Sequence, residues 1–148
     1  MANTNKQKFT VVFVLLALLT AAVIGMVIAL NNSITTTTLK TGDYKNGGLD
    51  DEGKYVETDE SIVTKDYVSV DGLEIDVADE LEVTYSIYFY NEDKELVSVS
   101  ENLAEDYAYV EAENVEYFKI VITPTDDEEV SLFEKGGYAK QLTVTVDR

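Results

Sequence analysis

Tyr88, Tyr90, Tyr117 and Lys119 are the side chains whose types and spacing point most directly to ligand chemistry. In an extended chain successive side chains face opposite ways, so Tyr88 and Tyr90 stand opposite Tyr85, Ile87 and Phe89, while Tyr117 and Lys119 stand opposite Phe118, Ile120 and Ile122. If the two stretches are neighbouring strands, the first four make one outward platform, rimmed by Asn91 and Asp93. Open tyrosine rings stack on the C–H face of a sugar, and amides and carboxylates take its hydroxyls, so the chemistry would be carbohydrate binding. The plain alternative is that tyrosine favours strands for its packing alone and that loops cover these rings.

Carboxylates are the other candidates. Asp43, Asp50, Asp51 and Glu52 fall in a turn-rich stretch, GDYKNGGLDDEG, and a calcium ion needs several oxygens converging from such a loop. The spacing is not that of an EF-hand, and the same residues serve as an ordinary solvated turn built on Asx geometry and glycine. Asp50, Asp51 and Glu52 are therefore a metal candidate only if the fold adds further oxygens. Acid pairs such as Asp79-Glu80, Glu111 with Glu113, and the run Asp126 to Glu129 satisfy the pairing a glycosidase requires. With 29 acidic residues such pairs arise by coincidence and carry no weight.

The chain has neither cysteine nor histidine. That removes disulfides, thiolate and imidazole metal ligands, and Ser-His-Asp or cysteine nucleophiles. No catalytic constellation remains, and the expectation is that this protein is not an enzyme and has no cofactor. Residues 31–148 carry nine basic and 29 acidic side chains, a net of −20, and the only arginine is Arg148. Phosphate contacts need clustered Lys or Arg, so nucleic acid is excluded as a partner.

The element that must carry all of this is residues 9–30, FTVVFVLLALLTAAVIGMVIAL, without a charge, an amide or a proline. At about 1.5 Å per residue a helix of that length reaches about 33 Å, enough for a hydrocarbon core of about 30 Å. Lys6 and Lys8 lie on one flank and no basic residue precedes Lys40 on the other, which puts the N-terminus in the cytoplasm and the rest outside. The expected organisation is a cytoplasmic lead 1–8, a transmembrane helix 9–30, a tether 31–41 and an extracellular domain 42–148. A cleaved signal peptide ending near Val27-Ile28-Ala29 is the competing reading, but its apolar region would be shorter. Residues 8–12 also resemble the start of a type IV pilin, although Lys8 stands where the glycine belongs and Phe13 where the acid belongs. The threonines at 35–38 would not continue a pilin's helical stem.

Beyond residue 54 the period is two. Leu73, Ile75 and Val77 alternate with Glu74 and Asp76; residues 81–90, LEVTYSIYFY, and 115–123, VEYFKIVIT, are the strongest strands; Leu142, Val144 and Val146 close the chain. Lys65-Asp66 is read as the turn of a strand pair and Asp71-Gly72 as a hairpin turn. The result is an all-β fold, a jelly-roll-like β-sandwich of about seven to nine strands preceded by one transmembrane helix.

Four segments, residues 48–56 (GLDDEGKYV), 62–67 (IVTKDY), 88–98 (YFYNEDKELVS) and 117–124 (YFKIVITP), together resemble the galactose-binding-like, carbohydrate-binding-module-like β-sandwiches of bacterial and phage surface proteins. The resemblance spans roughly residues 48–146. It implies a sandwich on which sugars are bound, and Lys119 stands where such modules carry arginine. Tryptophan, the usual ring for sugar stacking, is absent. The function expected is therefore a membrane-anchored, non-catalytic adhesion module at a bacterial surface, with a cell-wall glycan as leading ligand. The alternative is a structural or protein-interaction subunit of a surface assembly, helped by the small residues Ala17, Ala21 and Gly25 at spacing four. A concave tyrosine patch favours the first, a flat apolar patch or an unpaired edge strand the second.

Overall fold

The computed structural model describes Thr20, residues 35–125 and residues 135–147. The chain divides into two units, Met1–Thr35 and Thr36–Arg148. The lead 1–8, the membrane segment 9–30 apart from Thr20, and the acidic run 126–129 lie outside the described residues. Among the described residues no helix is long and apolar enough to cross a membrane.

The described part of the second unit is built of antiparallel sheets. One sheet has the order β1 (Thr36–Thr38), β12 (Leu142–Asp147), β7 (Glu74–Val77), β10 (Tyr107–Ala108). The other has the order β2 (Tyr44–Asn46), β5 (Ile62–Thr64), β11 (Tyr117–Pro124), β8 (Val83–Tyr90), β9 (Leu96–Leu103), with β6 (Val68–Ser69) also on β11. A small hairpin joins β3 (Gly48–Leu49) and β4 (Tyr55–Val56). The only other regular elements described in this unit are a 3-10 turn at Thr41–Asp43 and a short helix α1 (Lys135–Ala139).

The two large sheets share one apolar core. Ile75, Leu142, Val144 and Val146 come from the first sheet, and Tyr85, Ile87, Phe89, Phe118, Ile120 and Ile122 from the second. These are the positions that the period-two pattern assigns inward. Burying such side chains is worth roughly 1.5–3 kcal/mol each, which locks the register, because a slip by one residue would turn every one of them outward.

Several details depart from the sequence expectations. Twelve strands are described rather than seven to nine; four of them, β3, β4, β6 and β10, have two residues each and are too short for alternation to register. The tether 31–41 is not all tether: Thr36–Thr38 pairs with Asp147, Val146 and Thr145, so the β-branched threonines find a ladder partner at the far end of the chain. Lys65-Asp66 is no hairpin turn. β5 and β6 both pair with β11 and form one interrupted strand along it. Asp71-Gly72 likewise carries the chain from the second sheet to the first, with Gly72 at φ +59° against the Asp147 carboxylate.

Candidate functional site

The register places Tyr117 opposite Tyr90 and Lys119 opposite Tyr88, so β8 and β11 are neighbours and the four platform residues do share one face. That face is the side of the second sheet turned away from the core. It is not open. The Tyr90 ring is 1% exposed, and its hydroxyl donates to the Gly53 carbonyl at 2.7 Å. Gly53 belongs to the turn of the β3–β4 hairpin, which therefore packs on this face. The Tyr67 ring stands edge-on to Tyr90 at a centroid distance of 4.9 Å and to Tyr117 at 6.3 Å.

Lys119 is also covered, at 7% exposure. Its Nζ donates to the Lys65 carbonyl at 3.0 Å and to that of Thr64 at 3.4 Å, and lies 4.6 Å from the Tyr67 ring centroid. The lysine thus satisfies two carbonyls exposed by the break between β5 and β6, which the ladder cannot reach. Burial lowers its pKa; Lys45 and Lys94 act in the same direction and Asp66 opposes them. Tyr88 and Tyr117 remain half-buried. The Tyr88 hydroxyl is pushed up by burial first, then by Glu101, Asp51 and Asp50.

Asn91 and Asp93 lie in the β8–β9 turn and line a groove with residues 111–116. Asn91 is committed to its own turn, its Oδ1 accepting from the Glu95 amide at 2.8 Å and its Nδ2 donating to the Glu95 carboxylate at 3.1 Å. Asp93 is exposed.

Asp50, Asp51 and Glu52 form the hairpin turn. Asp50 Oδ1 accepts from the amides of Glu52 at 2.9 Å and Lys54 at 2.8 Å, and Glu52 pairs with Lys54. The Asp50 carboxylate is occupied with backbone donors, as an Asx turn requires. Among the described residues no group of three acidic side chains is placed to hold a metal ion.

Two partners of the platform had no signal in the sequence. Tyr67 sits in an irregular stretch, and Lys94, at φ +63° in the β8–β9 turn, brings its Nζ within 5.2 Å of the Tyr67 ring. Farther along, Lys45 Nζ lies 3.4 Å from the centroid of the exposed Tyr55 ring. Such cation–π contacts are worth roughly 0.5–1 kcal/mol at exposed positions. They tie the tyrosines to lysines of the same chain.

A different surface is left unsatisfied. β9 ends its sheet and pairs with β8 alone, and among the described residues none of its residues makes a backbone hydrogen bond on the other side. Residues 96–100, LVSVS, carry no charge. Comparison with family models, with curated proteins and with solved structures finds no match.

Proposed function

We propose that this chain is a single-pass membrane protein of a bacterial surface, N-terminus inside, whose extracellular part is a non-catalytic β-sandwich of the jelly-roll kind working as a protein-interaction subunit. The observation that carries the choice of partner is the edge of β9, unpaired among the described residues and uncharged over residues 96–100, beside a tyrosine face on which Tyr90 and Lys119 are covered by residues of the same chain. Natural sheets cover, charge or shorten such edges, and an uncovered one is a template for another chain. The anchor rests on the uncharged run 9–30 and the lysines before it.

Carbohydrate is the second reading. Tyr88 and Tyr117 keep part of their rings accessible on adjacent strands, and the segment resemblance to sugar-binding modules supports it.

Photocrosslinking in intact cells separates the two. The full chain, carrying a photoreactive residue at Val99 in one version and at the exposed Asp76 of β7 in another, is expected to capture one defined protein, identified by peptide mass, from position 99 alone. Adduct-free Val99 together with wall-glycan retention that drops on Tyr88→Ala, Tyr117→Ala would replace the protein reading by the carbohydrate one.

A further inference from the structure

The proposed protein-interaction role leaves the partner's chemistry open, and the surroundings of β9 define it. Two register breaks interrupt its pairing with β8, one between Phe89 and Tyr90 and one between Tyr85 and Ile87. Ser98, Val99 and Ser100, opposite Phe89, Tyr88 and Ile87, are the regular stretch between them. Bulges restrict where a foreign strand can add. The accessible template is thus short, and an occupant needs a further anchor beyond backbone hydrogen bonds.

That anchor lies at the start of the strand. At the first break Val97 has no partner in β8 and is 43% exposed. With Leu96, Ala112 and Val115 it lines an open groove of about 800 Å³. Glu92, Asp93, Glu111, Glu113 and Glu116 line the same groove, and among the described residues no lysine or arginine does. Val110, 81% exposed, precedes this loop. An occupant has to offer an unpaired extended backbone to Ser98–Ser100, an apolar side chain to Val97 and Val115, and positive charge to the five carboxylates.

We infer that the β9 edge and the acidic groove dock an extended basic segment of another protein, in which Lys or Arg alternates with aliphatic residues. A second copy of this chain fits poorly, because it carries a formal charge of −18 and its own β9 brings Glu101, with Glu95 just before the strand, to the junction. The same repulsion applies to residues 126–129, Asp-Asp-Glu-Glu, of this chain.

The test uses the full chain in detergent micelles and three short synthetic peptides, alternating Lys/Val, Ser/Val and Glu/Val. Fluorescence anisotropy reads affinity, and amide hydrogen exchange reads the edge. The Lys/Val peptide is expected to bind, to slow exchange at residues 98–100 and to weaken as salt is raised. Glu111→Lys with Glu113→Lys, both exposed positions, should reduce its affinity by about tenfold or more, whereas Asp76→Lys on the other sheet leaves it unchanged. Val97→Ser should also weaken it without reversing charge. Equal binding of the Ser/Val peptide would overturn the basic character of the partner while leaving the protein-interaction role intact. Residues 98–100 already protected before any peptide is added, or unaffected by all three peptides, would overturn the docking site. The crosslink at Val99 then decides separately whether the protein-interaction role survives.

Discussion

Gly53 shows how one residue without a side chain decides what a whole face can do. Its φ of +73° is open to glycine and costly to other residues, and a Cβ there would lie 2.8 Å from the Tyr90 hydroxyl oxygen and 3.0 Å from Cε1. The close approach lets the Gly53 carbonyl accept from Tyr90 and bring the hairpin down on the sheet. Gly53→Ala is expected to cost about 1–3 kcal/mol, from backbone strain together with the displaced ring. Gly42→Ala, where a Cβ meets nothing within 4 Å, serves as the control and should change little. Urea midpoints at unchanged m-value read both. The sequence marked Glu52-Gly53 as a turn and Tyr90 as outward-facing. That the two touch depends on a contact across 37 residues, which no local pattern encodes.

At the scale of elements the second sheet is graded. β11 is the most buried of its long strands, with residues 118–122 all covered, because β5 and β6 flank one edge, β8 the other, and both faces are packed. β8 alternates between buried and half-buried up to Phe89, and β9 alternates between half-buried and exposed stretches with no buried residue. Ile120, at 0% exposure between Ile87 and the β5–β6 break, has its amide bonded to Thr64 Oγ1 at 3.2 Å. Ile120→Ala should therefore cost about 2–5 kcal/mol, a large part of the roughly 5–15 kcal/mol that holds a domain together. Val110→Ala, the same kind of truncation at 81% exposure, should stay within about 0.5 kcal/mol. Thermal melts of the two variants check this; equal shifts would contradict the gradient. The continuous apolar run Ile120-Val121-Ile122 already marks a strand covered on both sides, since a half-solvated strand alternates.

For the molecule as a whole the weak point is alkaline pH. The hydroxyls of Tyr44, Tyr85 and Tyr90 are all pushed up, in each case first by burial. Asp43 adds to the effect at Tyr44, and Asp106 and Glu105 add to it at Tyr85, whose value rises from 10.0 to about 12. Below pH 10 each phenol is protonated in both the folded and the unfolded chain, and stability is complete. Between 10.0 and about 12 the unfolded chain releases the Tyr85 proton while the folded one retains it, so stability falls as pH rises through that window. Lys119 works in the opposite direction, because its lowered pKa means that the fold favours the neutral amine. A titration should show part of the tyrosinate absorbance appearing together with loss of the β circular-dichroism signal; ionisation of all ten tyrosines with that signal intact would refute the account.

The sequence by itself determined the all-β class of fold and much of the core, though not Tyr44, which falls in the stretch read as a turn and is buried in that core. Alternation at 73–77, 81–90 and 142–146 is a property of neighbours along the chain, and solvent sorts its two faces without reference to any other segment. It also determined the absence of cysteine and histidine chemistry and the strong negative charge. Only the tertiary structure decided that Tyr90 and Lys119 are covered, that Asn91 and Asp93 line a groove with residues 111–116, and that β9 is an edge among the described residues. Facing outward is fixed by a period of two residues. Being exposed depends on whether a distant segment, here the β3–β4 hairpin and Tyr67, comes to lie on that face, and such a contact leaves no mark at either position alone.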